Sequence, residues 1–409
     1  MKRVVPGLVF AVAIVASAPS VPLAQDSPSA ADLFNGDVIQ RIELRVNSDD
    51  WEKLKENFQE NEYYPADLVW NGMTVRNNGI RSRGLGSRSG TKPGLRVDFD
   101  RYTSKQTFLG LKSIVLDNLV QDSSAIRETT AMRFFARMGI PAPREAHARL
   151  YVNGRYAGLY AVVESIDKDF LARIFGEING DTQNDGYLFE YNFTSPWRFS
   201  YLGDDLAPYK ERFDIKTNED RGDERIWRPI EQLVRLANEL PSDRYLEELD
   251  PKLDLRQMIR FVAVQNFLSE NDGLLGYDGM NNFYFYRKEN SDQHVFIAWD
   301  DDNAFSSQEF ELTTRHEENE LFRKAMEIAE LRELYYQTLS EAASMAETPD
   351  GSDLGWLEQE VRTRLDMIEP YLAEDPNKPY TMDDFANHRS AMIQFSLQRT
   401  RYVRSNLPR

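Results

Sequence analysis

From position 39 to 46 the chain alternates apolar and polar residues, the period of a strand with one face in a core. Helical spacing follows over 49–58, with Ser48 or Asp49 placed to cap it. Alternation resumes over 66–75, where Asn71-Gly72 marks a two-residue hairpin turn, and again at 79–83. A loop rich in Gly, Ser and Arg leads to a strand at 95–99, and 113–116 is a short apolar strand. Asp122-Ser123-Ser124 signals a helix start, with the helix running to about Met138 and stopping at Gly139 before Pro141. Strands at 147–152 and 158–164 flank the turn Asn153-Gly154.

After Asp167 the pattern changes. Helical periodicity covers 224–240 and 255–270, strands pair at 282–286 and 294–299, and the tail is helical over 317–346, 354–372 and 382–407. Acidic loops rich in Gly and Asn, notably 179–186, lie between, and no internal repeat is present. The predicted class is α+β. An N-terminal lobe of antiparallel sheet plus one helix spans 38–166, and a mainly helical C-terminal lobe spans 167–409.

Upstream of the folded part, 4–18 is apolar, follows Lys2 and Arg3, and gives way to small residues at 16–18 and 23–24. That is the anatomy of a signal peptide over 1–24 with cleavage near Ala24, an uncleaved anchor being the alternative. Residues 25–37 read as a flexible lead-in. No later apolar run is long enough to cross a bilayer, so the mature chain is expected to be secreted, periplasmic or at the cell surface. Cysteine is absent, which excludes disulfides, thiolate metal sites and cysteine nucleophiles. A formal net charge of −18 repels phosphate backbones, so nucleic acid is not an expected partner.

Candidate chemistry gathers in one unit: the helix at 255–270, the loop Asn271-Asp272-Gly273, the hairpin, and Asp300-Asp301-Asp302 after Trp299. If Arg287 faces His294 across the turn, antiparallel register sets Asn282 opposite Trp299. Asp272, Asn282 and at least one of Asp300 and Asp302 then converge. Phosphoryl transfer needs such a set, because a hard magnesium ion takes oxygen ligands while another carboxylate orients the acceptor hydroxyl and takes its proton. Asp301 points to the opposite side of an extended segment and reads as the solvated or packing member. Taken singly, each carboxylate is as readily a solvated loop residue, and a calcium site at Asp300 and Asp302 stays open although EF-hand spacing is absent.

The loop at 84–90 could cradle phosphate with its backbone N–H groups, although its spacing is one residue longer than GxGxxG and a plain surface hairpin loop fits equally. Arg81, Arg83, Arg88 and Lys92 around it stand out in an acidic chain; solvated charges on a strand edge are the alternative. Glu128 is placed either to hold a phosphate-binding lysine or to complement its helix dipole, and Glu164 sits where the second lobe begins. The histidines at 147, 294, 316 and 388 have no metal-binding spacing, and no GxSxG elbow occurs.

Several blocks together resemble the CotH kinase family, the spore-coat protein H type, from about Ile39 to the end. They are Arg83-Gly84 with Ser87 and Lys92, Phe108-Leu109-Gly110-Leu111, Asp122-Ser123 with Arg127, and Tyr151-Val152-Asn153-Gly154 with Gly158-Leu159-Tyr160 and Glu164. The closing blocks are 282–286 and Ile297-Ala298-Trp299-Asp300-Asp301-Asp302. The resemblance implies a two-lobed, atypical protein-kinase-like fold that uses ATP and magnesium (or manganese) to phosphorylate Ser or Thr on exported proteins. It matches Asp272 to the catalytic-loop Asp, Asp300 to the metal-binding Asp with Asp302 and Asn282 assisting, and Lys92 to the lysine after the RGxxS-like loop. Lys112 is a rival for that lysine, and Arg81, Arg83, Ser87, Glu128 and Glu164 complete the expected nucleotide side. The chain departs from the family pattern at Leu85-Gly86, at Ala298 in place of Pro, and in the longer loop between Asp272 and Asn282. A non-catalytic coat or surface module on the same fold, or transfer of AMP, are the alternative functions.

Overall fold

The computed structural model describes residue 1 and residues 27–178 and 181–408. The expected signal peptide and its cleavage site therefore lie outside the described residues. Within the expected flexible lead-in, residues 30–33 form helix α1 (Ala30–Leu33), and Leu33 and Phe34 are buried.

Strands β1 (Gln40–Val46), β2 (Tyr64–Trp70), β3 (Met73–Ser82), β4 (Leu95–Asp98), β5 (Ser113–Asp117), β6 (Glu145–Val152) and β7 (Arg155–Glu164) close into a barrel in the order β1-β2-β3-β4-β5-β7-β6. This corrects the expected antiparallel sheet. Closure comes from a parallel pairing of β1 with β6, Ile42 beside Leu150, while the other pairs are antiparallel. The two tight turns are as expected. Asn71 and Gly72 have φ of 47° and 75°, and Asn153 and Gly154 have 50° and 78°, the paired positive values that suit right-twisted strands.

Helix α2 (Ser48–Glu56) begins one residue earlier than expected, because Asn47 caps it by accepting from the Asp49 amide at 2.9 Å. Helix α3 (Arg127–Arg137) starts later than expected. The Asp122 carboxylate reaches past a left-handed Ala125 to accept from the Ile126 and Arg127 amides, both at 2.9 Å, and so caps through a loop rather than from the adjacent position.

Strands β5 and β7 read as continuous apolar runs because both faces are covered. Ile114, Leu116, Tyr160 and Val162 point into the barrel core, whereas Val115, Leu159, Ala161 and Val163 join a second, larger core outside it. That second core takes in α3 and α4 (Lys168–Phe175), and, after the short pair β8 (Glu177–Ile178) and β9 (Asp181–Thr182), it also takes in β10 (Tyr187–Tyr191), α5 (Ala207–Arg212), β11 (Phe213–Ile215), α6 (Asp223–Glu239), α7 (Leu255–Phe267), β12 (Phe283–Arg287), β13 (His294–Ala298), α8 (Glu320–Glu327), α9 (Ala329–Glu347), α10 (Trp356–Ala373) and α11 (Met382–Asn406). Strands β10 and β11 were not expected. They extend the predicted hairpin to a four-stranded sheet in the order β11-β10-β12-β13. The helix expected over 317–346 is broken at Ile328, whose extended backbone separates α8 from α9.

Candidate active site

The sheet and α7 bring the expected residues to one place. In the β12–β13 pair Arg287 faces His294 and Phe283 faces Ala298, so Asn282 and Trp299 leave the hairpin side by side, as the register predicts. Asp272 comes from the loop after α7. Its Oδ2 accepts from the Asn281 side chain at 3.0 Å and the Asn282 side chain at 3.3 Å, and no hydrogen bond to its Oδ1 is found among the described residues. Burial raises the Asp272 pKa, and the two amides oppose that rise.

Two buried residues hold the loops in register. Gln265 on α7 donates to Asp301 Oδ1 at 3.0 Å and accepts from the Leu274 amide at 3.0 Å, tying the Asp272 loop to the acidic cluster. Gly273 is required here, since a Cβ would meet the Gln265 side chain at 2.4 Å. Arg399 on α11 donates to the Asn266 and Phe267 carbonyls at the end of α7 and to the Gln308 and Phe310 carbonyls beyond the cluster. Four carbonyls from two segments are thereby satisfied by one guanidinium.

Asp301 is thus the packing member, fully buried and not solvated. Asp300 has φ 59°, a left-handed turn that separates its side chain from that of Asp301. Burial pushes Asp300 up to about 6 against the pull of Arg83, with Asp117, Glu190 and Asp272 adding to the rise. Asp302 is pushed up to about 9 by burial and then by Asp300, Glu270, Asp117 and Asp122. Burial also raises Glu128, Glu145 and Glu270 well above the usual carboxylate range, and each faces a further carboxylate: Glu145 beside Glu128, and Asp301 beside Glu270. The Glu145 oxygens, Glu270 Oε2 and Asp301 Oδ2 are buried without a partner. Crowded like charges of this kind are relieved by protons or by a cation.

Two basic groups border the cluster: Arg127 donates to the Asp302 carbonyl at 3.4 Å and lies 3.6 Å from Asp122, and Arg83 is the other. Arg83 lies 3.7 Å from Asp117 and 5.4 Å from the Trp299 ring centre, and although burial works against its charge, Asp300 and Asp117 raise its pKa overall. Ser87, Asp117, Asp122, Glu128, Asp300 and Asp302 line one narrow cleft with about 20 Å³ of free volume, room for a water rather than a phosphate chain. Gly84 turns the loop above it with φ 105°, and Arg88 pins that loop by donating to the Gly84, Phe58 and Glu60 carbonyls.

Other expected residues are elsewhere or differently engaged. Lys92 is buried in an ion pair with Asp375 at 2.7 Å. Glu128 is at the cleft but faces Glu145 rather than a lysine. Glu164 is held by Arg144 and Arg173. Arg81 donates to Asn61 and lies over Tyr63, and Lys112 is exposed. The pattern passed over Asp117, Glu145, Glu190, Gln265, Glu270, Asn281 and Arg399. For Glu190 a signal existed, a carboxylate set within an otherwise apolar strand. Among the described residues no group of three or more His, Asp or Glu side chains is arranged to hold a metal ion.

Residues 80–403 match the family described as CotH kinase protein. The inner spore coat protein H of Bacillus subtilis (strain 168) is 22% identical over 371 residues, covering 89% of this chain and 96% of that protein. The crystal structure of the Helicobacter pylori proinflammatory kinase CtkA aligns with a TM-score of 0.30 and 10% identity, over 77% of this chain and 94% of that one. With the match spanning most of its length and the cleft, the Asp272 loop and the acidic cluster all inside it, this chain belongs to the CotH kinase family.

Proposed function

We propose that this kinase-like chain transfers the terminal phosphoryl group of ATP to Ser or Thr hydroxyls of exported proteins in a magnesium-dependent step. The observation that supports this most is the meeting of Asp272, held by Asn281 and Asn282, with Asp300 and Asp302 at one end of the β12–β13 hairpin. In this reading the barrel side (38–166) and the remainder (167–409) act as two lobes about that cleft. Asp272 Oδ1 accepts the proton of the acceptor hydroxyl, whose oxygen bonds to the γ-phosphorus as the bond to the β-phosphate oxygen breaks and ADP leaves. A raised pKa makes Asp272 the better base for that proton.

The donor set fits a hard divalent cation, since Asp300 and Asp302 are crowded buried carboxyls whose raised pKa a bound cation would bring down, and magnesium binds through one or two carboxylates with substrate phosphates completing its shell. Asp300 and Asp302, assisted by Asn282, would hold it. Once bound, magnesium (or manganese) supplies charge neutralisation at the phosphates. Arg83 would turn from Asp117 to meet the phosphates in place of Lys92. The cleft must open for this, by movement of the loop at 84–90 or of 117–122.

No helix among the described residues is long and apolar enough to cross a membrane, and the Bacillus relative is a spore-coat protein. From that relative alone we infer a place at the cell surface or outside the cell for this chain. A non-catalytic assembly module is the second reading, favoured by the small cleft and the engaged Lys92. Thermal shift with ATP and magnesium separates the two. Stabilisation by the pair, lost in Asp300→Asn, supports the kinase reading; no shift with either metal supports the module.

A further inference from the structure

A second cavity lies away from this cleft. It is bounded by 185–187, 218–229 and 287–292, has a volume of about 570 Å³, and sits at the far end of β12 from Asn282. Five residues of strand separate the two, roughly 17 Å. Its charged lining is Arg221, Arg225, Arg287 and Lys288 against Asp185, Glu289 and Asp292, a basic excess in a chain of net charge −18.

The acidic members are already engaged. Asp185 pairs with Lys168, Asp292 lies 3.6 Å from Lys252, and Glu289 accepts from the Asp185 amide at 3.1 Å. Lys288 lies 3.6 Å from Asp254, and Arg221 lies 3.8 Å from its chain neighbour Asp220. Arg225 and Arg287 are different. Arg287 is 3% exposed, lies against Tyr187 with its ring centre at 4.0 Å, and donates to the Arg225 and Ile226 carbonyls. Neither arginine has an ion-pair partner among the described residues, although both line the same cavity. A buried guanidinium without a carboxylate is costly, and the planar fork of arginine matches an oxyanion. Burial, with Arg225 adding to it, moves the Arg287 pKa downward although Tyr187 and Asp292 pull it the other way, and a bound anion would act in their direction.

We propose that this cavity binds an oxyanion of the phosphate class, with Arg225 and Arg287 as its charged contacts. The inference does not depend on the kinase reading. The anion is either free phosphate or a phosphorylated side chain on another protein, and both offer the same three oxygens.

The test is calorimetric titration of the full chain with inorganic phosphate and with a phosphoserine peptide, using acetate at matched ionic strength as control. Expected are saturable binding absent with acetate, weakening as salt rises, and a loss of about tenfold in Arg225→Ala, the size of one charge-assisted contact. Arg225 is exposed, so that variant keeps the fold; Arg287→Gln is a second variant, with its folding checked by circular dichroism. Arg83→Ala and Asp300→Asn should bind as the wild type does, which separates this cavity from the cleft. Tighter binding of the peptide identifies the phosphorylated protein as the source, and equal binding identifies free phosphate. Absence of binding above acetate, or unchanged affinity in Arg225→Ala, overturns the proposal and leaves the kinase reading where it stands.

Discussion

Substituting Asp375 tests what Lys92 does in this chain. The two side chains are 1% and 0% exposed and meet at 2.7 Å. Asp375 also accepts from the Leu159 amide at 3.0 Å and the Asn377 amide at 2.8 Å. Its approach depends on Gly158, at φ +138°, where a Cβ would lie 2.6 Å from Asp375 Oδ1. Burial lowers the Lys92 pKa while Asp375 holds the charge in place. Asp375→Ala leaves a buried ammonium and two amides unpaired. Breaking such a pair costs about 3–5 kcal/mol. Each orphaned amide adds about 1–3 kcal/mol. That sum reaches the whole stability of an ordinary domain, about 5–15 kcal/mol. Lys92→Met is milder, because Asp375 keeps its two amide donors. The apolar pair Lys92→Met with Asp375→Leu should recover most of the pairwise loss. Denaturant midpoints of the four proteins provide the cycle, and nucleotide titration of Lys92→Met provides the functional arm. Loss of less than about 1 kcal/mol in Asp375→Ala would refute the packing argument. Loss of ATP binding in a folded Lys92→Met would return Lys92 to the phosphate-binding role that the sequence suggested.

Two further outcomes follow from the same geometry. Gly84→Ala places a Cβ 2.4 Å from Ser87 Oγ at φ +105°, a strain of about 1–3 kcal/mol, so amide exchange in the loop at 84–90 should speed up while the β1–β6 amides keep their protection. His147 is buried and its pKa is lowered to about 4 by desolvation, so the unfolded chain takes up its proton first. Its contribution is complete above pH 6.5 and is lost as pH falls toward 4. The buried carboxylates with raised pKa act in the opposite direction. The stability difference between wild type and His147→Gln isolates the histidine, and it should shift against wild type by about 1.4 kcal/mol per pH unit between pH 6 and 4.5. A flat difference would show that His147 is not held neutral.

Local features of this fold were legible because local chemistry specifies them. Asn71-Gly72 and Asn153-Gly154 needed no context to be read as turns, and the 288–293 turn set the register that brings Asn282 beside Trp299. Barrel closure was not legible, since it rests on pairing residues 40–44 with 148–152 in parallel, and nothing in either strand names its partner. The same distance hid the Lys92–Asp375 pair, 283 residues apart. Asp301 was read correctly as the member facing away, but its surroundings were not, because Gln265 looks like any helix residue until α7 is packed. Asp272 and Asp300 stood out because they flank a hairpin; Asp117 and Glu145 did not, because a strand carboxylate shows its role only when the strand is placed.

The central claim rests on Asp272 as the group that accepts the hydroxyl proton. Its direct test is incubation of the chain with ATP, magnesium and exported Ser/Thr-bearing proteins, read by intact-protein mass spectrometry, beside Asp272→Asn. The account predicts the added mass of a phosphoryl group with the wild type, none with Asp272→Asn, and nucleotide affinity within about twofold between them, since Asn preserves the shape of the side chain. Transfer by Asp272→Asn at the wild-type rate, or the added mass of AMP in place of phosphate, would contradict it.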